Sequence, residues 1–194
     1  FGQLTQLEQL CLTNNQLSTL SELFGDFDNL EKLWLDGNQL SSLPESLGNL
    51  PMLYSLYLDH NLLSILPKSF RNLDSLETLT LYKNRFFSNP ESVQILLQIL
   101  SKNPSIIRNV QPVLQRVQDK SSLIVAFLIQ EGKTLLDVTL LRLFELVKLE
   151  EVSPVQVKAL RPVLLAILLA SPTSSKVRLQ ARRALKRLGE KEIN

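Results

Sequence analysis

The sequence predicts an α/β fold in two parts: a solenoid whose short parallel strands stack on its concave side, followed by an all-α helical domain. One 23-residue pattern occurs four times between Leu7 and Asn84, and helical patterns replace it after residue 90. The formal charge also changes sign there. Residues 1–90 carry 5 Lys+Arg and 10 Asp+Glu, whereas residues 91–194 carry 16 and 9. These changes predict a domain boundary between residues 90 and 91.

Leucines and an asparagine recur at a fixed spacing in the first part. The pattern L-x-x-L-x-L-x-x-N-x-L resembles the leucine-rich repeat family. The resemblance implies a leucine-rich repeat solenoid over residues 1–90, made of four repeats and the tail of an earlier one. The residues at the pattern positions are Leu7, Leu10, Leu12, Asn15 and Leu17, then Leu30, Leu33, Leu35, Asn38 and Leu40, then Leu53, Leu56, Leu58, Asn61 and Leu63, and finally Leu76, Leu79, Leu81, Asn84 and Phe86.

Each repeat can be assigned element by element. Alternating apolar residues predict a strand whose leucines, such as Leu33 and Leu35, point into the core. The asparagine amide both donates and accepts hydrogen bonds, so we expect it to join the backbone of its own and the neighbouring coil in a ladder. On the outer side, Pro44 and Pro67 suit the start of a short helical turn. Ser21 replaces this proline in the first repeat, and Asn89 replaces the expected leucine in the last.

About six helices are predicted in residues 91–194, where no 23-residue period is expected. Asn89 as N-cap and Pro90 at the first helical position begin the first helix. Residues 175–188 weakly resemble the helix of an armadillo or HEAT repeat, and a helical bundle is the alternative. The predicted helices are Glu91–Lys102, Ser105–Asp119 with a bend at Pro112, Ser122–Glu131, Thr134–Val147 as a central helix, Ser153–Ala170, and a last one from Ser174 or Ser175 to Gly189.

The beginning of the chain and its cysteine content bear on location. Phe1 to Thr5 match the end of a repeat and no cap precedes them, so we expect earlier repeats. No signal peptide or membrane-spanning apolar run is visible. Extracellular members of the family usually close their ends with disulfides, and Cys11 is the single cysteine. We therefore expect a cytoplasmic protein, or one in the host cytoplasm if it is a secreted bacterial effector.

Outward residues of the strands supply the candidate binding surface. Trp34 and Tyr57 are expected on adjacent strands, about 5 Å apart, and exposed aromatic residues are the usual binding anchors. Asp36 and Asp59 should also be neighbours, and their repulsion favours a basic partner group. The alternative interpretation is that Trp34 packs on neighbouring aliphatic stems and the aspartates are merely solvated. The predicted partner-binding residues are Lys32, Trp34, Asp36, Tyr57, Asp59, His60 and Tyr82.

The sequence predicts no catalytic residue, metal site or cofactor. Cys11 and His60 fall two strands apart, about 10 Å or more, which is too far for a Cys–His dyad. Zinc needs three or four His or Cys ligands, and the chain has one of each. Asp36, Asp59 and His60 are the alternative, a loose cation site. The six glycines are scattered, so no phosphate-binding loop is expected.

The last helix supplies a second candidate surface. Three interpretations of its basic side are open: a site for phosphates or an acidic membrane, a solvated outer face, or a contact with the acidic repeats of another copy. No aromatic residue interleaves with these charges, so base stacking has no platform. The basic residues are Lys176, Arg178, Arg182, Arg183, Lys186 and Arg187.

These observations predict a non-catalytic protein-interaction module or scaffold, with the helical domain as end cap and second binding surface. The 23-residue repeats resemble those of cytoplasmic scaffold and signalling regulators and of bacterial effectors. The predicted partner is another protein with a basic or aromatic contact group, rather than a small-molecule substrate, nucleic acid or membrane. The alternatives are a bacterial effector that targets host proteins, the recognition part of a larger enzyme, and a lipid or nucleic-acid binder. Bacterial ubiquitin ligases of this type need a catalytic cysteine, which residues 91–194 lack.

Overall fold

The computed structural model describes residues 4, 6–85, 89–114, 116, 121, 124, 125, 128, 147, 153–170 and 175–187. The chain forms two compact units, Phe1–Gln118 and Asp119–Asn194. The first unit includes helical residues that follow the repeats, because these residues pack on the last coil. The predicted domain boundary between residues 90 and 91 stays a prediction. That residues 91–194 form one all-α domain of about six helices stays a prediction.

Four short strands form one parallel sheet in chain order. They are β1 (Gln9–Cys11), β2 (Lys32–Trp34), β3 (Ser55–Tyr57) and β4 (Thr78–Thr80). Leu10, Leu33, Leu56 and Leu79 pair in register across the sheet. A parallel sheet built from a 23-residue period, with helical residues after it, confirms the predicted fold class.

The core is a stack of leucines along the inner side of the sheet. Leu33 and Leu35 of the second coil have no solvent exposure. Leu10 and Leu12 hold the same positions in the first coil but are only half-buried. The difference arises because the second coil has a neighbouring coil on both sides, and burial of each coil depends on its neighbours.

The predicted asparagine ladder is present. Asn61 donates from Nδ2 to the carbonyl of Leu58 in its own coil (3.2 Å) and to that of Leu35 in the preceding coil (2.9 Å). Its Oδ1 accepts the backbone N–H of Leu40 at 3.0 Å. Asn38 and Asn84 make the same three bonds with their own neighbours. Buried amides thus satisfy the backbone groups that the turns release from the sheet.

Three 3-10 helices form the outer side of the solenoid: Glu22–Asp26, Glu45–Asn49 and Lys68–Asn72. Pro44 and Pro67 immediately precede the second and third, as predicted. The Glu22 carboxylate accepts the backbone N–H of Ser46 in the next coil at 3.1 Å. Side chains at the start of one 3-10 helix therefore hold the start of the next.

Helix α1 (Pro90–Lys102) begins where a further 3-10 helix would be expected. Asn89 caps it, accepting the N–H of Ser92 at 3.0 Å. Pro90 falls 23 residues after Pro67, and the buried Ser92 falls 23 after Ser69. The Oγ of Ser92 accepts the backbone N–H of Leu66 at 3.0 Å. Two outer-side positions, Pro90 and Ser92, therefore keep the 23-residue spacing into the first turn of α1.

The chain after α1 covers the last strand of the first unit. A 3-10 turn (Pro104–Ile106) leads into α2 (Ile107–Leu114), and both contact β4. Lys102 reaches back to the Asp74 carboxylate at 2.5 Å and the Arg71 carbonyl at 2.7 Å. That the helical domain acts as an end cap stays a prediction. The predicted helix over residues 105–119 includes α2 with Pro112 inside it, and its last turn lies largely outside the described residues.

Helices also make up the described part of the second unit. The long helices are α3 (Pro154–Ala170) and α4 (Lys176–Arg187), which pack on each other. Ser175 caps α4 by accepting the N–H of Arg178 at 3.1 Å. The predicted helices over 122–131 and 134–147 fall mostly outside the described residues, and the armadillo or HEAT resemblance stays a prediction. A search of the described residues found no helix with the length and apolarity needed to cross a membrane.

Candidate partner-binding surface

An aromatic pair lies at the centre of the sheet's solvent side. Trp34 of β2 and Tyr57 of β3 are register partners. Their rings stack with centroids 5.6 Å apart and planes 4° from parallel. Both side chains are half-buried. The predicted proximity is confirmed, and each ring covers part of the other, which reduces the cost of exposing them to water.

Lys32 lies at the edge of this pair, but its ammonium is engaged within the chain. Its Nζ is 5.4 Å from the ring centroid of Tyr54. The pKa of Lys32 is raised, first by hydrogen bonding to the Tyr54 side chain and then by electrostatic interactions with Tyr54, Tyr57 and Glu31. Tyr54 was not among the predicted site residues because it precedes its strand by one position, outside the alternating pattern.

Asp36 and Asp59 have partners inside the molecule. Asp36 Oδ1 accepts the backbone N–H of Asp59 at 2.9 Å, and Asp59 Oδ1 accepts that of Tyr82 at 2.6 Å. Burial, and then the like charge of Asp59, raise the pKa of Asp36, although its hydrogen bonds oppose the shift. These two carboxylates therefore cap backbone N–H groups of the next coil. Their repulsion does not by itself require a basic partner, so the argument for the surface rests on the aromatic pair.

His60 occupies a position set by the backbone. It has φ of +57°, and the equivalent residues Asn14, Gly37 and Lys83 have φ of +56°, +68° and +56°. All four lie in the left-handed region, where the chain turns out of the strand. The imidazole is exposed and lies edge-on to Tyr82, with ring centroids 6.0 Å apart.

Tyr82 lies in a basic environment at the β4 end of the surface. The Lys83 ammonium and the Arg116 guanidinium carbon each lie 5.6 Å from its ring centroid. Tyr82 itself is 41% exposed. Arg116 was missed in the sequence, since it follows α2 and carries no repeat signal. The surface thus has an acidic and aromatic centre and a basic and aromatic end.

Cys11 and His60, the residues considered for nucleophilic chemistry, have different surroundings. Cys11 is exposed on β1, where hydrogen bonding with the Thr13 side chain lowers the pKa of its thiol. Its register partner on β2 is Trp34, which in turn pairs with Tyr57 on β3. His60 contacts Tyr82 rather than Cys11. Within the part of the chain that the structure describes, no group of three or more His, Cys, Asp or Glu side chains could hold a metal ion.

The basic residues of α4 do not share one environment. Its buried stripe is Val177, Ala181 and Leu185, which packs inward. Arg178 is half-buried, whereas the other predicted basic residues are exposed: Lys176, Arg182, Arg183, Lys186 and Arg187. Arg183 and Arg187 additionally line a cavity. The helix is therefore basic over most of its exposed circumference rather than along one face.

Comparison with known proteins supports the repeat assignment. The leucine rich repeat family model matches residues 28–86. A solved leucine-rich repeat protein of Leptospira interrogans is similar with a TM-score of 0.47 and 35% identity, over 53% of this chain and 25% of that chain. This chain thus spans about a quarter of that protein's length. Comparison with curated proteins gave no match. The family match and the stacked 23-residue coils show that the chain contains a leucine-rich repeat segment.

Proposed function

We propose that this chain is a non-catalytic protein-interaction module or scaffold that binds a partner protein on the concave face of its sheet. The observation that carries the proposal is the stacked Trp34–Tyr57 pair on the solvent side of β2 and β3. Large aromatic residues contribute a disproportionate share of the binding energy at protein interfaces. Leucine-rich repeat proteins generally bind other proteins, which supports the same reading.

The rigidity of this face favours binding. Trp34 and Tyr57 stand on paired strands, and the neighbouring turns are held by the asparagine ladder and by the carboxylates of Asp36 and Asp59. A surface that is already ordered loses little conformational entropy when a partner docks. The partner's contact group is proposed to be basic or aromatic, because either stacks on an indole or phenol ring and a cation also complements the two carboxylates.

The proposed location is the cytoplasm, or the host cytoplasm if the protein is a secreted bacterial effector. Cys11 is exposed and free, which suits a reducing compartment. Roles in signalling, as an effector, or as the recognition part of a larger enzyme each use the same surface. They differ in what the partner is.

Affinity purification with mass spectrometry tests the proposal. The wild type is compared with Trp34→Ala, Tyr57→Ala and Asp36→Lys, and with Met52→Ala as a matched control. Met52 is 50% exposed but lies in the turn before β3, away from the sheet face. We expect the three surface variants to lose a partner that the wild type and Met52→Ala retain. Thermal unfolding should be nearly unchanged for the two aromatic variants, whereas Asp36→Lys should also be less stable because it removes the acceptor of the Asp59 N–H. Retention of every partner by all variants would overturn the proposal.

A second candidate function uses α4. Exposed basic residues on a 12-residue helix suit phosphate groups of a lipid surface or nucleic acid. Phosphate contacts release counterions, so binding to anionic vesicles or to RNA should weaken steeply as salt increases. A flat response between low and high salt would argue against this function. The exposed charges alone also fit a solvated helix, which is why this candidate ranks second.

A further inference from the structure

The surface proposed to bind a partner changes charge along one set of equivalent residues. Asp36 and Asp59 occupy the same repeat position in the second and third coils, and Tyr82 occupies it in the fourth. Each carboxylate accepts a backbone N–H from the next coil. Tyr82, in contrast, lies beside two cations, because the Lys83 ammonium and the Arg116 guanidinium carbon are each 5.6 Å from its ring centroid. The surface thus changes from acidic to basic within one repeat.

Arg116 reaches this position because α2 packs on the last strand. The helix contacts β4, and its residues Val113 and Leu114 are buried. The backbone N–H of Arg116 donates to the carbonyl of Val113 at 3.0 Å, which continues the helical turn after α2 ends. Two separate segments therefore supply the cations. The fold, rather than a local run of basic residues, brings them to one ring.

Both cations are available to an anion. Lys83 and Arg116 are exposed, and neither forms an ion pair with an acid in the part of the chain that the structure describes. Their contacts with the Tyr82 ring restrict two long side chains but leave their N–H groups to an acceptor. Tyr82 is 41% exposed and carries a phenol O–H, which can donate as well. A carboxylate is the side-chain group that accepts from such donors most strongly.

The small extent of the basic region limits the kind of anion it suits. Asp59 and Asp36 lie one and two coils away, and residues 1–90 carry 10 acidic and 5 basic residues. A nucleic acid or an anionic membrane that reached the two cations would also meet these carboxylates, which repel it. One acidic side chain needs only the two cations and leaves the carboxylates to other groups of the same partner. A protein segment of mixed charge therefore fits best.

We propose that the partner carries a glutamate or aspartate that binds Lys83 and Arg116 beside the Tyr82 ring. The acid belongs to the same extended segment whose basic or aromatic residue contacts Trp34 and Tyr57, so this contact rests on the proposed function. Tyr82 lies two residues beyond the register partner of Tyr57. Strand spacing and rise put it about 8 to 12 Å from the aromatic pair, a distance that an extended segment covers in about two to four residues.

Selection of peptides from a random display library at low salt tests this contact. The full chain is compared with Trp34→Ala and Arg116→Glu. We expect peptides enriched by the wild type to have an acidic residue about two to four positions from a basic or aromatic one. Arg116→Glu should lose the acidic preference and keep the basic or aromatic one. Wild-type peptides with no preferred acidic position would overturn the contact.

Fluorescence anisotropy on one selected peptide measures the contact directly. Replacing the peptide's acid by glutamine, or Arg116→Gln on the protein, should each raise Kd about two- to fivefold, as for an exposed ion pair. With the glutamine peptide, Arg116→Gln should have no further effect. Lys83→Asn should behave like Arg116→Gln, and Asn14 already holds the equivalent turn position with φ of +56°. Losses that simply add would show that the acid and Arg116 do not interact.

Arg71→Gln is the matched control. It removes an exposed arginine from the outer 3-10 helix Lys68–Asn72 of the same unit and should leave Kd unchanged. Far-ultraviolet circular dichroism confirms that each variant is folded. Equal weakening by Arg71→Gln would assign the effect to net charge and overturn the contact. Binding of a uridine oligonucleotide that depends on Lys83 and Arg116, without an acidic preference among the peptides, would replace the acidic residue by a nucleic acid.

The selection also distinguishes failure of this contact from failure of the proposed function. Peptides that depend on Arg116 but not on Trp34 would keep the acidic contact and remove the aromatic pair as anchor. Peptides that depend on Trp34 without an acidic preference would do the reverse. Failure of the wild type to enrich any peptide relative to Trp34→Ala and Arg116→Glu would remove both.

Discussion

The Asp36 carboxylate accepts a hydrogen bond from the backbone N–H of Asp59 at 2.9 Å, joining two neighbouring coils. Asp36→Ala leaves this half-buried donor without its acceptor, so we expect the free energy of unfolding to fall by about 1 kcal/mol. Asp36→Asn keeps an oxygen in place and should cause no such loss. Urea unfolding measures both. Equal destabilisation by the two variants would show that the charge, rather than the acceptor, matters.

Glu45 gives a prediction on the pH dependence of stability, because its pKa is lowered, whereas the pKa of Asp36 is raised. Burial acts to raise the pKa of Glu45, but hydrogen bonds from Ser69 and Lys68 outweigh it and hold the pKa below 4.5. Its two oxygens accept the N–H groups of Lys68 and Ser69 at 3.0 and 2.8 Å. A carboxyl group whose pKa is lower in the folded state stabilises the protein at pH values above its pKa in the unfolded state. This stabilisation is lost as the pH falls through the pKa of the folded state. Glu45→Gln should therefore be less stable than the wild type at neutral pH and match it in acid.

Asp36→Asn supplies the control of opposite sign. Burial raises the pKa of Asp36 above its ordinary value of 3.8. A carboxyl group whose pKa is higher in the folded state stabilises the protein at pH values below its pKa in the unfolded state. This stabilisation is lost as the pH rises through the pKa of the folded state. Asp36→Asn should thus equal or exceed the wild type in stability at neutral pH, and lose any advantage in acid. Urea unfolding at pH values on both sides of this window measures the trend. If Glu45→Gln were more stable than the wild type at neutral pH, the lowered pKa of Glu45 would be contradicted.

Asparagines of the ladder should differ in importance by coil. Asn61 is 4% exposed and serves three backbone groups, so Asn61→Ala should lower the free energy of unfolding by at least about 3 kcal/mol. Asn15 is exposed, and within the described residues it bonds only the carbonyls of Leu12 and Thr13 in its own coil. Asn15→Ala should therefore cost about 1 kcal/mol or less. Similar losses in urea unfolding would contradict a ladder that joins coils.

The repeat geometry could be predicted because spacing determines it. Leucines and asparagines at a period of 23 specify inward side chains and turns in every coil alike. Pro90 and Ser92 keep the 23-residue spacing into α1, although no strand pattern follows them. Because equivalent residues of successive repeats lie on adjacent strands, the spacing also predicted that Trp34 and Tyr57 are neighbours. It could not supply Arg116, which reaches Tyr82 from beyond α2, since no local pattern specifies that approach.

The function of Asp36 and Asp59 was harder to predict for a different reason. Spacing places the two side chains on neighbouring coils, but it does not say whether a carboxylate faces solvent or a backbone N–H. That choice depends on the turn, whose residues take positive φ. The cavity lined by Arg183 could not be predicted either, because residues far apart in the sequence, such as Leu128 and Leu160, share its lining with α4.

The left-handed turn gives a prediction on glycine. Gly37 has φ of +68°, and a Cβ there would also collide with the Asn14 side chain. Gly37→Ala should lower the free energy of unfolding by at least about 1–2 kcal/mol. His60 already has this conformation with a full side chain, so His60→Gly should change stability by less than about 1 kcal/mol. An unaffected Gly37→Ala protein in thermal unfolding would contradict the constraint.

Trp34 is the single tryptophan of the chain, so its fluorescence reports directly on the proposed binding surface. Tyr57 stacks on the indole, and Tyr57→Ala should expose it to water and shift its emission to longer wavelength. Thr80→Ala is the matched control: Thr80 continues the same register beyond Tyr57 but is not the partner that stacks on Trp34. Its emission should equal that of the wild type. An unchanged spectrum in folded Tyr57→Ala would show that the two rings do not stack in solution.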